Sequence, residues 1–530
     1  MLYHTAGNAA QPAGTDSFLR PNPDAARANL HDPGSRHPGI LALCTRVVNP
    51  TSIPPLRLSG LLLLFIGGLL SIHAADTPSH PDRPNILLLI TDDQRFDQLG
   101  VVNPLLHTPR MDQLAREGVH FRNAFVTTPI CAASRASLLC GLVERTHRYT
   151  FRTPPLAKRF VELSYPRLLR EAGYRTAHVG KFGVNLPPDA AGRLFDSFES
   201  LGHPYWRQQP DGSKRHLTDI EGDLAIRFLD DHARDHGNAP FCLTVGFNAP
   251  HAQDADPRQY FWQEEVDSLY QNVRVPPAPL SQPDFYNQLP EFLRDGTMNR
   301  HRWRWRFDFE SKRQEMTRGY WRMISGVDLV IGRLQRRLEE LGLAENTVIL
   351  LIGDNGYFLG ERGYAGKWLP YEPSIRVPLI LFDPTRRFAH SGLTPEAFAL
   401  NIDIPATLLD LAGVAVPVEM QGRSLLPVAR GESPADWRED IWIEHLMMEP
   451  SIRKHEGVRT RRYKYTRYFE ASPVLEELFD LEADPLETVN LVNSPPHRET
   501  LQQLRRRTDE LRDEYGGEFS ARLWKQTVAP

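Results

Sequence analysis

Four side chains with oxygen ligands stand directly after two apolar, β-rich runs of the sequence. The runs are 85–91 and 347–353, and the side chains that follow them are Asp92, Asp93, Asp354 and Asn355. Carboxylate and amide oxygens are ligands for hard cations such as Ca²⁺ and Mg²⁺, and the sequence holds no Cys or His cluster with zinc spacing. An Asp after a strand is also a common helix cap, but the matching Gly-Asp-Asn-Gly after the second run favours a metal site.

Two basic side chains follow two further runs of the same kind. Lys181 comes directly after 174–180, and His251 follows 241–247 after a short Asn-Ala-Pro turn. Helical patterns lie between the runs, so the alternation predicts an α/β fold with a large, mostly parallel sheet sandwiched by helices. Because the carboxyl ends of parallel strands meet at one edge of such a sheet, we expect the acidic and basic groups to converge there.

A cysteine precedes a helical pattern in the stretch TTPICAASRASLLCGL (127–142), which holds Cys131 and Cys140. The chain has four cysteines, and removal of an N-terminal signal would leave these two and Cys242. An odd number of widely spaced cysteines is a poor disulfide framework. Burial as a small apolar side chain remains the alternative interpretation of Cys131.

The N-terminal segment indicates export to the periplasm or the cell exterior. Residues 57–75 combine a basic flank, a short apolar run and small residues, which resembles a signal peptide and predicts no stable transmembrane span. Residues 1–56 are interpreted as disordered or as a mis-assigned extension, with the true start near Val47 or Val48. A lipid- or helix-anchored N-terminus is the alternative. The formal net charge of −4 argues against nucleic-acid binding.

Together these motifs resemble the sulfatase family. CAASRASLLCG resembles the family signature, and PNILLLITDDQR, GYRTAHVGK, NAPH, GDNGYFLGERGYAGKWLPYEPSIRVPLI and NIDIPATLLDLAGV resemble family segments in the right order. The likeness covers about 82–490 and is closest in style to carbohydrate sulfatases such as N-acetylglucosamine-6-sulfatase and iduronate-2-sulfatase. It implies a catalytic domain at 82–430 and a smaller C-terminal α+β subdomain at 431–525 with a short antiparallel sheet.

The resemblance also implies a chemistry for these residues. Cys131 would be converted by a formylglycine-generating enzyme to formylglycine, whose hydrate has one hydroxyl to attack sulfur and another to expel sulfate. One Ca²⁺ would be held by Asp92, Asp93, Cys131, Asp354 and Asn355. The other catalytic residues would be Arg135, which holds the formylglycine hydroxyl, and a sulfate clamp of Lys181, His251 and Lys367. The implied reaction is sulfate ester hydrolysis, and we expect exo-action on the end of a sulfated carbohydrate.

Two departures from the family pattern leave alternatives open. Gly183 stands where sulfatases usually have a histidine, so either another base serves, with His147 a candidate, or the second half of the reaction is slower. Arg362 replaces a histidine that is common in the nearest relatives. The alternatives to a sulfatase are a phosphonate or phosphodiester hydrolase and an inactive protein that binds sulfated glycans.

In two further segments charged residues alternate with uncharged ones. In 300–313 aromatic residues alternate with charged ones, which predicts either a rim where Trp303 or Trp305 stacks on a sugar ring, or a packed surface loop or strand. The basic run 459–467 alternates strictly and is interpreted as the exposed face of an edge strand rather than as a polyanion patch.

Overall fold

A computed structural model describes residues 83–151, 153–237 and 239–521 of the chain. The predicted N-terminal extension (1–56) and signal peptide (57–75) lie outside the described residues. Within the described ranges, no helix has both the length and the apolar character that crossing a bilayer requires.

The described part of the chain is organised around a central seven-stranded sheet. Its strands are β1 (Asn85–Thr91), β2 (Val119–His120), β3 (Arg175–Gly180), β4 (Ser197–Ser200), β5 (Phe241–Gly246), β6 (Thr347–Gly353) and β7 (Leu379–Phe382). Their order across the sheet is β2-β7-β6-β1-β5-β3-β4. All neighbours pair in parallel except β7, which is antiparallel to β6 and β2. The predicted mostly parallel sheet is therefore confirmed.

The four apolar runs identified in the sequence are four of the five inner strands, β1, β3, β5 and β6. In β1, Ile86 and Leu88 enter the core on one face of the sheet, whereas Leu87 and Leu89 enter the core on the other. A strand buried on both faces needs an unbroken apolar run, which is the pattern that the sequence shows.

Helices cover both faces of this sheet. The described helices are α1 (Pro109–Glu117), α2 (Cys131–Cys140), α3 (Glu144–His147), α4 (Lys158–Glu162), α5 (Tyr165–Glu171), α6 (Ala191–Leu194), α7 (Leu217–Asp235), α8 (Pro283–Asn287), α9 (Glu291–Arg294), α10 (Met298–Arg306), α11 (Glu310–Glu340), α12 (Glu372–Ile375), α13 (Asp403–Leu411), α14 (Leu426–Ala429) and α15 (Arg498–Tyr515). Apolar residues of α2, α5 and α13 pack on one face, and those of α1, α7 and α11 pack on the other. Short two-stranded pairings join Ala124–Phe125 to Ala399–Leu400, Trp206–Gln208 to Lys214–His216, and Phe358–Leu359 to Ala365–Gly366.

A second, antiparallel sheet follows near the C-terminus, as the sequence predicts. Its strands, in spatial order, are β8 (Asp440–His445), β9 (His455–Thr460), β10 (Tyr463–Tyr468) and β11 (Leu475–Asp480). The interpretation of 459–467 as an edge-strand face is wrong, because β9 and β10 are the two inner strands. Its basic side chains are paired with acids: Arg459 and Lys464 contact Glu372, and Arg467 contacts Glu456.

The segment 300–313 also differs from its predicted strand or loop, because it forms most of α10 and the start of α11. A helix turns each residue by about 100°, so Trp303 and Trp305 lie on opposite sides instead of sharing one face. Trp303 lies beneath the Arg300 guanidinium, 3.8 Å from its ring centroid, and Trp305 packs on His301. The two tryptophans therefore do not form a common stacking platform.

A buried ion cluster joins α3 to the C-terminal sheet. The Arg145 side chain donates to Glu444 at 3.0 Å, to Glu456 at 2.5 Å and to the Gly517 carbonyl at 2.6 Å. Arg145 and both carboxylates are almost fully buried. Removing one partner of such a cluster leaves charges buried without a counterion. This destabilises the fold more than removing one partner of an exposed pair does.

We therefore expect Arg145→Ala to lower the free energy of unfolding by about 3–5 kcal/mol. Denaturant unfolding followed by fluorescence measures this loss. The matched control is Arg234→Ala, which removes an exposed pair with Asp231 and should cost about 1 kcal/mol at most. Equal, small losses in both variants would contradict the structural role of the buried cluster.

Candidate active site

The acidic residues predicted to bind a metal lie together at the carboxyl edge of the central sheet. Asp92 and Asp93 follow β1, and Asp354 and Asn355 follow β6, the strand beside it. The Asp93 amide donates to Asp354 Oδ1 at 3.2 Å, and Asn355 Nδ2 donates to Asp93 Oδ1 at 2.7 Å. All four side chains are buried. Adjacent parallel strands thus bring together residues more than 250 positions apart.

Three basic side chains point at these carboxylates. Lys181, which follows β3, forms an ion pair with Asp92, and Lys367 forms one with Asp93. His251 Nε2 lies 3.6 Å from Asp93 Oδ2. The three residues come from separate segments of the chain, so they surround the acidic pair instead of forming a single surface patch.

Cys131 is the first residue of α2, and its side chain is buried beside the acids. Its Sγ, one carboxylate oxygen of Asp92 and one of Asp354 all lie within 4.8 Å of one another. Burial raises the pKa of the Cys131 thiol, which keeps it protonated at neutral pH. All three described cysteines are free and buried, so none forms a disulfide.

Arg135, one helical turn after Cys131, connects the two sides of the site. Its Nε donates to Asp354 Oδ2 at 2.7 Å, and its Nη1 donates to the Lys181 carbonyl at 2.5 Å. The guanidinium therefore links residues at the ends of β6 and β3 and is itself buried.

The charges in the site shift one another's pKa values. Burial alone would raise the pKa of Asp92, but Lys181 and other nearby cations hold it below its ordinary value. Burial and the charge on Asp92 raise the pKa of Asp354 to about 6. Burial opposes charge on Lys367, yet the Asp93 carboxylate raises its pKa. Burial and the charge on Lys367 lower the pKa of His251, which favours its neutral form.

The unpaired oxygens of this cluster fit a hard cation. Among the described residues, Asp92 Oδ1, Asp93 Oδ2 and Asn355 Oδ1 are buried without a hydrogen-bond partner. Buried polar atoms almost always have a partner, so three such oxygens in one cluster indicate that a ligand completes it. An all-oxygen set of two carboxylates and an amide suits Ca²⁺ or Mg²⁺.

The backbone at Asp93 is held in an unusual conformation. Its φ is +67°, a left-handed value that a non-glycine residue adopts only when its surroundings support it. The Tyr320 hydroxyl donates to the Asp93 carbonyl at 2.7 Å and so fixes this turn. The sequence did not reveal Tyr320, because it lies on α11, far from any motif.

Two residues tied to the family's missing histidine have other roles. His147 is buried against α2, where its Nε2 contacts Ser137 Oγ and its Nδ1 accepts from the Tyr149 amide. Both ring nitrogens are engaged, so His147 is unsuited to serve as the catalytic base. At Gly183, φ is +74° and an added Cβ would lie 2.7 Å from Arg135 Cδ. Glycine at this position therefore makes room for Arg135.

Arg362, the other departure from the family pattern, lies outside the cluster of acids and cations. Its Nη2 donates to the Leu486 carbonyl at 2.8 Å and also contacts the Glu487 carbonyl. The guanidinium stacks on the Tyr371 ring. Leu486 and Glu487 lie in the loop after β11, so this arginine ties that loop to Tyr371, and its contacts are structural.

Comparisons with known proteins identify the family. Residues 84–414 match the sulfatase family model, and residues 360–514 match the family model described as N-sulphoglucosamine sulphohydrolase, C-terminal. An N-acetylglucosamine-6-O-sulfatase of Bacteroides thetaiotaomicron is 28% identical over 522 residues, which covers 84% of this chain and 89% of that protein.

Solved structures agree with this match. One, described as being in complex with its substrate D-glucosamine-2-N,6-O-disulfate, has a TM-score of 0.72 and 27% identity, covering 82% of this chain and 98% of that one. A phosphonate monoester hydrolase of Silicibacter pomeroyi has a TM-score of 0.69 at 22% identity, covering 82% and 96%, which is a likeness of fold alone. The chain belongs to the sulfatase family and is a sulfuric ester hydrolase.

Proposed function

We propose that this protein is exported and removes sulfate from the ends of sulfated carbohydrates, using Ca²⁺ and a formylglycine derived from Cys131. The observation that carries the proposal is the ring of basic side chains, Lys181, His251 and Lys367, around the buried acids beside Cys131. Basic side chains arranged in this way bind the oxygens of an anionic group such as sulfate through charge-assisted hydrogen bonds. The names of relatives, including an N-acetylglucosamine-6-O-sulfatase, support a sulfated sugar as substrate.

Five residues would hold the Ca²⁺: Asp92, Asp93, residue 131, Asp354 and Asn355. The ion would polarise the sulfate oxygens and favour ionisation of the attacking hydroxyl. A formylglycine-generating enzyme would supply the aldehyde, whose hydrate provides the nucleophile and the means to release sulfate. The unpartnered oxygens of Asp92, Asp93 and Asn355 support three members of this set. The grouping of Cys131 Sγ with carboxylate oxygens of Asp92 and Asp354 within 4.8 Å supports the other two.

The chain's own basic residues would bind and orient the ester. Arg135, fixed by Asp354, would orient residue 131 and offset its negative charge. Lys181 and Lys367 would hold sulfate oxygens, because each is a protonated donor beside the acidic cluster. His251 would lie on the side of the leaving oxygen, where negative charge grows as the S–O bond breaks. Its Nδ1 lies 2.6 Å from the Ala252 carbonyl, a contact that would fix the ring's orientation.

The depth of the site favours a terminal sulfate group. The acids are fully buried, and Lys181 and His251 are only 18% and 15% exposed. A sulfate on a chain end reaches such a site more easily than one in the middle of a polymer. We therefore expect exo-action, with sulfate released from a mono- or oligosaccharide end.

Sulfate release from a panel of defined sulfated sugars tests the proposal. Ion chromatography should detect turnover with at least one terminally sulfated sugar. A higher kcat/KM on phosphodiesters or phosphonate monoesters would favour the alternative hydrolase, and binding without any turnover would favour a glycan-binding protein. Desulfation inside long polymers, with chain ends untouched, would contradict exo-action.

We expect Gly183→Ala to lower kcat/KM at least tenfold, because the new Cβ would displace Arg135. The matched control is Gly173→Ala, whose φ is +87° but whose added Cβ meets nothing within 4 Å. Both variants carry the strain of a left-handed alanine, so both should lose about 1–2 kcal/mol of stability. Only Gly183→Ala should lose activity in steady-state assays. Equal activity in the two variants would contradict the proposed role of Gly183.

A further inference from the structure

A cluster of two arginines and one aspartate lies beside the sulfate clamp. Arg302 and Arg306, both on α10, form ion pairs with the two carboxylate oxygens of Asp254. Asp254 follows His251 by three residues, so the cluster borders the clamp. None of the three residues belongs to the set assigned above to the metal or to the reacting sulfate.

Helix α10 is attached directly to the segment that carries Lys367. Asn299 Nδ2 donates to the Lys367 carbonyl at 2.7 Å and to the Ala365 carbonyl at 3.3 Å. The Arg302 guanidinium lies over the Trp368 ring, 4.8 Å from its centroid. Trp368 in turn packs in one cluster with Cys131. Arg302 therefore lies against the apolar cluster that contains residue 131.

The cluster has more positive charge and more donors than its partners satisfy. Two guanidinium groups share one carboxylate, and the neighbouring His251 and Lys367 add no negative charge. Among the described residues, Nε and Nη1 of both arginines are buried without a hydrogen-bond partner. The phenols of Tyr260 and Tyr357 also face Arg306, but they are neutral. Buried charged donors without partners indicate that an anion completes the cluster.

Arg302 is the member that a substrate can reach. Its side chain is 13% exposed, whereas that of Arg306 is fully buried. Asp254 fixes one edge of the Arg302 guanidinium at 2.5 Å, and Trp368 supports its face, so the group is preorganised. A preorganised guanidinium binds sulfate, sulfamate or carboxylate groups with two parallel hydrogen bonds.

We propose that Arg302 binds a second anionic substituent of the sulfated sugar, a sulfamate, a sulfate or a carboxylate, while the clamp holds the reacting sulfate. This inference rests on the proposed function and adds a preference for substrates with two negative charges. Arg306 and Asp254 position Arg302, and Trp368 supports the face of its guanidinium.

The test compares substrates that differ only in the second charge. One pair is D-glucosamine-2-N,6-O-disulfate and N-acetylglucosamine-6-sulfate, and the other is a 2-sulfated hexuronic acid and its methyl ester. Arg302→Gln should lower kcat/KM about 10–100-fold on the doubly charged member of at least one pair, mainly through KM. On the singly charged member the loss should be about threefold at most. The pair that responds distinguishes a sulfamate from a carboxylate.

The matched control is Arg304→Gln, which changes an exposed arginine on the opposite side of α10 and should leave both rates unchanged. Equal losses of Arg302→Gln on both members of each pair would show a structural role and overturn the inference. Unchanged rates on all four sugars would overturn it as well. Failure of the unmodified protein to release sulfate from any of them would instead overturn the proposed function, and this inference with it.

Discussion

Replacing Asp354 by Asn should remove both the bound metal and the hydrolytic activity. The substitution keeps the size of a fully buried side chain but removes a charge. Asp354 accepts hydrogen bonds from the Asp93 amide and from Arg135 Nε, so it connects the other acids to the arginine beside residue 131. Loss of a preorganised electrostatic group in a buried site costs about 10²–10³ in kcat, and loss of the ion would add to this.

Metal content after dialysis provides the readout that is independent of activity. Elemental analysis should find about one Ca²⁺ per unmodified chain and far less in Asp354→Asn. The matched control is Asp383→Asn, because Asp383 is also a buried carboxylate directly after a strand, where it accepts from the Thr385 and Phe388 amides. It should keep metal and activity. An Asp354→Asn protein that keeps both would show that the acids at the strand ends do not form the metal site.

Cys131→Ala should reduce sulfate release to the background rate. Residue 131 lies within 4.8 Å of both carboxylates at the N-terminus of α2, so a nucleophile derived from it would face the ester and the metal together. Loss of a catalytic nucleophile costs at least about 10⁴-fold in kcat. Steady-state assays on a sulfated sugar measure this loss.

The control for this variant is Cys140→Ala, at the other end of the same helix. Cys140 is buried and contacts the Ala136 carbonyl at 3.0 Å through its Sγ. The kcat of this variant should stay close to that of the unmodified protein, because the substitution removes only a packed thiol. If Cys131→Ala kept more than a small fraction of the activity, residue 131 would not be the nucleophile.

The strand ends explain why much of the site was predictable from the sequence. Strands β1 and β6 are buried on both faces, so each appears as an unbroken apolar run, and the polar residues that end it are easy to locate. The carboxyl-end rule for parallel sheets then places Asp92 and Asp354 together without any knowledge of strand order. The structure confirms that placement, because carboxylate oxygens of Asp92 and Asp354 lie within 4.8 Å of each other.

The surroundings of the site were less predictable, because they depend on packing between distant segments. The alternation of aromatic and charged residues in 300–313 has the period of a strand, yet Thr297 caps a helix there by accepting from the Arg300 amide. Thr297, directly before the first residue of the helix, was the signal in the sequence that could have predicted it. The prediction failed for the basic run 459–467 for a related reason, since alternation identifies a strand but not whether neighbours cover both of its edges.

The chemical state of residue 131 in an active preparation shows whether a formylglycine carries the reaction. The protein is produced together with a formylglycine-generating enzyme, and its rate of sulfate release is measured. The peptide that contains residue 131 is then isolated from the same sample and analysed by mass spectrometry. We expect the thiol of Cys131 to be replaced by an aldehyde or its hydrate, and the activity to rise in proportion to the converted fraction. Full activity with an unmodified thiol would contradict this expectation.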